Sequence, residues 1–265
     1  MRRLALAFLL LVACGSSAQE PQWPASPCRI ETFEGSRFTV CDPGRGKLLL
    51  VAAGKDEMPK RSFAEVMADH PAERVAFAMN AGMFDEDGRP IGLAITGRRQ
   101  VHAINLNDGP GNFHLKPNGV FSVAHTGTAR IAPSGPMTAI QRAQTVELAT
   151  QSGPMLVIDG KLHPKLSHDG QSRFIRNGVG VRDGRALFVI SNEVVSMGKL
   201  ARFFRDSLHA RNALYFDGSV SALWDPAAGR QDAGVPLGPI IVAIKPAPAT
   251  RSEASAPGRA GRAIP

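Results

Sequence analysis

The sequence has few aromatic residues and no long apolar run. Aromatic residues fill 6% of the 265 positions and no basic run is interleaved with them, so nucleic-acid binding is not expected. No stretch reaches about 18 consecutive apolar residues, which argues against a transmembrane helix. The formal net charge is +8, but half of the excess lies at the two ends of the chain. The body is therefore only mildly basic, which favours an anionic substrate weakly.

The motifs of several enzyme classes are missing. There is no GxSxG, P-loop or GxGxxG pattern, so serine hydrolases, nucleoside triphosphatases and dinucleotide enzymes have no motif support. The seven histidines form neither HxH nor HExxH. His163 and His168 are only weak evidence for a metal site. The run from Asp85 to Gly88 lacks the closing glutamate of a calcium loop. We therefore expect no metal site and no cofactor.

The N-terminus has the features of an export signal. Arg2 and Arg3 precede a short apolar segment, Leu4 to Val12, which is too short to span a bilayer. Leu11-Val12-Ala13-Cys14 then resembles a bacterial lipobox, which predicts a signal peptide over 1–14 and lipidation of Cys14. Cleavage after Ser16-Ser17-Ala18 is the alternative. Either way we expect an exported protein in the periplasm or outer envelope, attached to a membrane only by the lipid.

Export changes what the other two cysteines indicate. Cys28 and Cys41 lie 13 positions apart around a strand-like segment. In an oxidising compartment the simplest expectation is a disulfide between them. A metal pair is less favoured because no second ligand pair has a matching spacing.

Composition and pattern predict an α+β fold. The sequence contains 27 glycines and 20 prolines, a mixture that suits many short strands and turns. We predict a linker over 15–27, one strand-rich domain over 28–246 and a disordered tail over 247–265. Within the domain we expect a mixed sheet with a few packed helices, at Ser62–His70, Pro136–Gln144 and Met197–Leu208.

The segment from Asn212 to Trp224 is the centre of the functional prediction. Its apolar run breaks at Asp217-Gly218, where a carboxylate would stand at the end of a buried strand. The simpler interpretation is a turn closed by an Asx-type hydrogen bond. Ser219 and Ser221 follow within reach of the carboxylate.

Four junctions between strand and loop share this pattern, in which an apolar run ends in Asn, Gly, Ser or Asp. They are Asn80-Ala-Gly-Met-Phe, Gln151-Ser-Gly-Pro, Ser191-Asn-Glu and Asp217-Gly-Ser. If these strands lie in one sheet with their ends on one edge, the junctions converge to form a pocket.

Charged residues near these junctions could carry chemistry. Arg173 and Arg176 could bind phosphate or carboxylate with the guanidinium fork, although surface ion pairs are the simpler interpretation. Glu193 and Asp217 are the best carboxylate pair for acid and base roles.

The junctions, taken in order, resemble the phosphodiester glycosidase domain family over about residues 45 to 245. The family includes a lysosomal enzyme that removes N-acetylglucosamine from a phosphodiester, and many exported bacterial proteins. The segments that carry the resemblance are Asn80-Ala-Gly-Met-Phe-Asp, Gly111-Asn-Phe-His-Leu-Lys-Pro-Asn-Gly, Gln151-Ser-Gly-Pro-Met, Arg176-Asn-Gly-Val-Gly and Asn212-Ala-Leu-Tyr-Phe-Asp-Gly-Ser. Ser219 departs from the Asp-Gly-Gly that the family often has, which would narrow the pocket.

The resemblance implies hydrolysis of a sugar C1–O bond with phosphate as the leaving group. Arg176, with Arg173 as a second choice, would hold the phosphate. Asp217 or Glu193 would assist water or attack the anomeric carbon. The remaining residues would bind substrate oxygens, with backbone N–H groups supplied at the glycines: Asn80, Gly82, Ser152, Gly153, Asn177 and Ser219. The expected substrate is a phosphorylated glycan or sugar-1-phosphodiester.

Two alternatives stay open. A pocket without a productive carboxylate would suit a non-catalytic envelope protein that binds a phosphorylated glycan or a protein partner. A metal-dependent phosphodiesterase would instead cut the P–O bond.

Overall fold

The computed structural model describes residues 26–53, 57–135 and 146–245, and these form a strand-rich α+β domain. The predicted signal peptide, Cys14, most of the linker, the helix at Pro136–Gln144 and the tail lie outside the described residues. The predicted fold class is confirmed. The structure adds that the strands form three sheets, and every strand pair in the described ranges is antiparallel.

The first sheet has seven strands. In spatial order they are β1 (Cys28–Phe33), β2 (Ser36–Cys41), β13 (Arg185–Ser191), β12 (Asn177–Arg182), β14 (Asn212–Tyr215), β10 (Met155–Ile158) and β11 (Lys161–Leu162). Asp183 and Gly184 both have positive φ, which closes the predicted β12–β13 hairpin. Cys28 stands opposite Cys41 across β1 and β2, and the predicted disulfide joins them.

The second and third sheets have five strands each. The second runs β16 (Arg230–Gln231), β15 (Leu223–Asp225), β4 (Val75–Asn80), β17 (Ile240–Ile244) and β3 (Lys47–Val51). The third runs β6 (Arg99–His102), β5 (Ala94–Thr96), β9 (Val146–Ser152), β7 (Gly119–Ala124) and β8 (Ala129–Pro133).

Two short helices accompany the sheets in the described ranges. Helix α1 (Phe63–Asp69) begins after Ser62, whose hydroxyl accepts a hydrogen bond from the backbone N–H of Glu65, as the capping pattern predicts. Helix α2 (Met197–Arg202) follows the capping residue Ser196 and continues as a π turn over Phe203–Ser207. Single 3₁₀ turns lie at Ala72–Arg74 and Pro226–Ala228. None of the helices in the described ranges is long and apolar enough to cross a membrane.

One apolar core joins the three sheets. Phe188 of the first sheet contacts Phe77 of the second at 5.5 Å and Phe121 of the third at 5.7 Å between ring centroids. All three rings are fully buried. Burial of one such side chain is worth about 1.5–3 kcal/mol, so this cluster holds the sheets against one another.

The opposite face of the first sheet is covered by α2 and its π turn. Phe38 stacks on Phe203 at 4.2 Å, and Phe204 and Tyr215 belong to the same buried cluster. Because side chains alternate along a strand, Leu214 and Phe216 face the three-sheet core, whereas Tyr215 faces α2. At the end of β14, one face of the first sheet is therefore covered by the three-sheet core and the other face by α2. The candidate site lies at this strand end.

Candidate functional site

The four junctions meet at the end of the first sheet, although their strands belong to three sheets and not to the one sheet that the prediction assumed. Asn177 donates its amide N–H groups to the backbone oxygen of Asn80 at 2.9 Å and to its Oδ1 at 2.8 Å. Ser152 Oγ donates to the carbonyl of Phe216 at 3.3 Å. Ser191 Oγ accepts from the backbone N–H of Arg176 at 2.9 Å. Strand ends from all three sheets are thus tied together by polar side chains.

Arg176 is buried, with 2% of its surface exposed. Its Nε donates to the carbonyl of Val195 at 2.9 Å, and Nη2 donates to the carbonyl and hydroxyl of Ser172. Its Nη1 donates to the Tyr215 hydroxyl at 2.5 Å, and the guanidinium lies over the Phe174 ring. No acidic side chain pairs with Arg176 in the described ranges. Four of its five N–H groups thus have acceptors within the protein, and one N–H of Nη1 remains.

Tyr215 is a candidate site residue that the sequence did not single out. Its side chain is fully buried, and burial raises the pKa of its phenol to about 12. The hydroxyl therefore stays protonated across the neutral pH range and can donate a hydrogen bond. One signal in the sequence pointed to it: Tyr215 is the only tyrosine, and it stands two positions before Asp217 and hence on the same face of the chain.

Asp217 lies in the turn that follows β14. Its Oδ1 accepts from the backbone N–H of Ser219 at 3.0 Å, which is the Asx-type turn of the simpler interpretation. Burial raises the pKa of the Asp217 carboxyl, although backbone N–H groups of Ser219 and Val220 oppose the shift. No cationic side chain pairs with this carboxylate in the part of the chain that is described. Asp217 therefore closes an Asx-type turn and still has no cationic partner in that part of the chain.

Gly218 brings this turn against the arginine. A Cβ atom added at Gly218 would overlap the Tyr215 hydroxyl and lie 3.2 Å from Arg176 Nη1. Only glycine lets the backbone pass there. As a result, the guanidinium, the phenol and the turn that carries Asp217 share one small volume.

The other side of the same turn rests on the asparagine network. Ser221 Oγ donates to the carbonyl of Asp217 at 3.1 Å and lies 3.3 Å from Asn177 Oδ1. The backbone N–H of Ala222 donates to Asn80 Oδ1 at 2.8 Å. Asn80 Nδ2 is buried without a hydrogen-bond partner among the described residues. These contacts fix the Asp217 turn from behind.

Glu193 and Arg173 lie in different surroundings. Glu193 accepts from the backbone N–H and the Nε of Arg37, both at 2.7 Å, and these hydrogen bonds lower the pKa of its carboxyl. Arg173 forms an exposed ion pair with Asp169 at 2.7 Å. No described contact joins Glu193 to Asp217 or Arg173 to Tyr215. Glu193 and Arg173 therefore already have partners at the surface.

Gly82 and Gly153, the two glycines predicted to face the substrate, lie against other parts of the protein. A Cβ at Gly82 would collide with the Gln151 carbonyl, and one at Gly153 would lie 2.7 Å from Asn118 Cβ. Their close approach is to neighbouring strands and loops.

Ser219 is exposed at the rim of the turn. In the described ranges, no group of three or more His, Cys, Asp or Glu side chains could hold a metal ion.

Comparisons with known proteins identify the family of the chain. The family model for phosphodiester glycosidases matches residues 73–234. The uncharacterized protein YigE of Escherichia coli K12 is 36% identical over 154 residues, which are 57% of this chain and 58% of YigE. The chain thus spans less than two thirds of the length of that relative.

Two solved structures share the fold. One is the catalytic domain of zebrafish N-acetylglucosamine-1-phosphodiester alpha-N-acetylglucosaminidase, auto-inhibited by its pro-peptide, with a TM-score of 0.57 and 14% identity over 83% of this chain and 82% of that one. The other is a hypothetical protein from Synechocystis, with a TM-score of 0.50 and 16% identity over 82% of this chain and 61% of that one. The resemblance inferred from the five sequence segments is confirmed: the chain belongs to the phosphodiester glycosidase family.

Proposed function

We propose that the protein is an exported hydrolase that cleaves the sugar C1–O bond of a glycosyl phosphodiester in cell-envelope glycans. The family membership supports this class of reaction. The observation that carries the proposal is that Arg176 donates to the Tyr215 hydroxyl and that the turn carrying Asp217 packs against both at Gly218, while neither Arg176 nor Asp217 has a charged partner in the described ranges.

Arg176 and Tyr215 would hold the phosphate. A phosphodiester carries one negative charge, and the leaving phosphate gains a second as the C1–O bond breaks. A guanidinium without an acidic partner stabilises that charge most where water is excluded. The Tyr215 hydroxyl, which stays protonated, donates a hydrogen bond to the same group.

Asp217 would act as the general base. A phosphate leaves readily, so activation of the attacking water matters more than protonation of the leaving group. Burial raises the pKa of Asp217, and a carboxylate with a higher pKa is the stronger base. Glu193 is less suited to this role because Arg37 lowers its pKa.

The reaction consumes one water molecule. Water loses a proton to the Asp217 carboxylate while its oxygen bonds to the anomeric carbon. The C1–O bond breaks, and its electron pair stays on the phosphate oxygen beside Arg176. The products are the free sugar and a phosphate monoester, and Asp217 then releases its proton to solvent.

Export is supported by the leading segment of the sequence and by the disulfide. A Cys28–Cys41 bond is typical of oxidising compartments. Cys14 within its lipobox would attach the protein to a membrane. Mass spectrometry of the mature protein from a bacterial host tests this directly, since a diacylglycerol-modified N-terminal cysteine supports anchoring and a free N-terminus at residue 19 contradicts it.

The activity test is release of reducing sugar from a panel of sugar-1-phosphodiesters. Arg176→Lys keeps the charge but loses the planar fork, and we expect kcat/KM to fall by about 10²–10³-fold. Arg173→Lys is the matched control, because Arg173 pairs with Asp169 at the surface, and it should keep wild-type activity. Equal losses in the two variants would contradict the assignment of the phosphate site.

Heavy-oxygen water separates the proposal from its alternatives. Cleavage of C1–O places the label on the sugar. Label in the phosphate, together with loss of activity in a chelator, would indicate a phosphodiesterase that cuts P–O. Tight binding of the substrates without turnover would indicate a non-catalytic binding protein.

A further inference from the structure

An open cleft lies beside the candidate site. Its volume is about 500 Å³, and its lining includes Ile175, Ser191, Asn192, Ser221, Arg230 and Asp232. Two of these residues touch the site directly, because Ser191 accepts from the Arg176 backbone and Ser221 donates to the carbonyl of Asp217. The cleft therefore continues from the turn that carries the proposed base.

The polar wall of this cleft is fixed in orientation. Asn192 Oδ1 accepts from Thr39 Oγ1 at 2.9 Å and from Arg230 Nη1 at 3.0 Å. Because two donors bind this oxygen, the positions of Oδ1 and Nδ2 in the Asn192 amide are determined. The two N–H groups of Asn192 remain, and no acceptor in the described ranges pairs with them. They are oriented donors available to a ligand.

The charges in the cleft cancel. Arg230 directs Nε and Nη2 at the two carboxylate oxygens of Asp232, at 3.0 and 2.8 Å, and its Nη1 is engaged by Asn192 and Thr39. The guanidinium thus has no free fork for a phosphate. Asp232 keeps acceptor capacity on Oδ1, and the half-buried Ser221 adds a hydroxyl. A lining of paired charges, an amide and a hydroxyl suits an uncharged ligand that carries many hydroxyl groups.

We propose that this cleft binds a second, uncharged sugar of the glycan, next to the sugar whose C1–O bond is cleaved. This rests on the proposed function. The volume falls within the range of about 300–1,000 Å³ that buries a drug-sized ligand, which is the size of a disaccharide. Ile175 adds an apolar patch against which a sugar ring can pack. The substrate class is accordingly an oligosaccharide phosphodiester.

Asn192→Asp tests the assignment with little change to the fold. The aspartate still accepts from Thr39 and Arg230 but has no N–H groups for a ligand. The probes are the methyl phosphodiesters of N-acetylglucosamine-1-phosphate and of the corresponding β-1,4-linked disaccharide. We expect KM for the disaccharide to rise roughly tenfold, as for one lost hydrogen bond, with KM for the monosaccharide and both kcat values unchanged.

Asn212→Asp is the matched control. Asn212 Oδ1 accepts from the backbone N–H of Asp159 at the far end of β14, so the same chemical change occurs away from the cleft. It should leave both KM values at the wild-type level. Ala233→Leu, a second variant at an exposed position in the lining, should also raise KM for the disaccharide alone. An equal ratio of the two KM values in all variants would overturn the proposal.

A binding measurement separates this inference from the proposed reaction. Calorimetry with free N,N′-diacetylchitobiose and the Asp217→Asn variant requires no turnover. Binding that Asn192→Asp weakens would support the cleft even if neither phosphodiester were hydrolysed. Turnover of both substrates without chitobiose binding would support the reaction and reject the cleft.

Discussion

Arg176 and Asp217 have opposite charges but do not neutralise each other. Each is at least partly buried, and each would be more stable with a charged partner. The Gly218 backbone lies against Arg176 and the Tyr215 hydroxyl, and no ion pair joins Arg176 to Asp217 in the described ranges. Separation of this kind costs stability and is typical of residues retained for function.

Asp217→Asn should therefore change activity and stability in opposite directions. Loss of the base should lower kcat/KM by about 10²–10⁴-fold. The pKa of Asp217 is raised in the folded state above its ordinary value of 3.8. Between these two pKa values the folded state binds more protons than the unfolded state, so the free energy of unfolding of the wild type falls as pH rises through this window. The asparagine variant lacks this loss and should be the more stable protein at neutral pH.

Urea denaturation at several pH values measures this effect. The stability advantage of the variant should be present at pH 7 and shrink as the pH approaches 3. The acid limb of the wild-type kcat/KM profile should lie above 3.8. An advantage that stays constant with pH would mean that another group causes it. Glu193→Gln is the control, since the pKa of Glu193 is lowered and its loss should cost stability instead.

At the residue scale the sequence indicated the charged groups better than their roles. Asp217, Arg176 and Asn80 lie where the junctions meet, as predicted. Glu193 and Arg173 have the same residue types, but their partners Arg37 and Asp169 are revealed only by the folded chain. Tyr215 was hidden inside an apolar run, because periodicity does not tell a core tyrosine from one whose hydroxyl meets an arginine.

The decisive element is the turn from Asp217 to Ser221. It passes over the end of β14 and contacts Tyr215 on one face of the first sheet and Asn177 on the other. This one turn therefore sets the distance between the proposed base, the proposed phosphate-binding groups and the cleft. We expect small changes in the turn to affect catalysis more than stability.

Gly218→Ala tests the turn. The added methyl group would overlap the Tyr215 hydroxyl, so the turn or the tyrosine must move. A displacement of about 1 Å at a reacting group can cost about 10²-fold, and we expect kcat/KM to fall by at least that factor. Gly135→Ala is the control, because nothing lies within 4 Å of the added Cβ there. Wild-type activity in Gly218→Ala would show that the turn does not position the catalytic groups.

Local elements were predictable where their signals are local. Ser62 and Ser196 cap the two helices as expected, and Asp183-Gly184 forms the expected hairpin. The grouping of strands was not predictable. β12 pairs with β14, and β2 pairs with β13, although long segments of chain separate them. Their register depends on which faces are buried together, which no short window of sequence contains.

At the scale of the whole molecule, the three sheets act as one body. Phe77, Phe121 and Phe188 come from different sheets and distant parts of the sequence, yet their rings form one contact. Each strand alone reads as a simple apolar run. The site exists only because this core brings the ends of β4, β9 and β12 to one place.

The disulfide stabilises the edge of this body. Cys28 and Cys41 close a loop of 13 residues, and a bond across a loop of that length contributes about 3 kcal/mol to the free energy of unfolding. β1 pairs only with β2 within the described residues, whereas β2 also pairs with β13. Loss of the bond should therefore loosen β1 first and leave the site in place.

Substitution of both cysteines by serine should lower the free energy of unfolding by about 2–4 kcal/mol, which corresponds to a fall in Tm of roughly 5–15 °C for a domain of this size. Wild-type protein in a reducing agent should melt at the same temperature as the double variant, and Cys14→Ser should melt like the oxidised wild type. Hydrogen exchange should quicken in β1 while Arg176 and Tyr215 stay protected, and kcat at 25 °C should be unchanged. Loss of activity before any loss of Tm would instead tie β1 to the site itself.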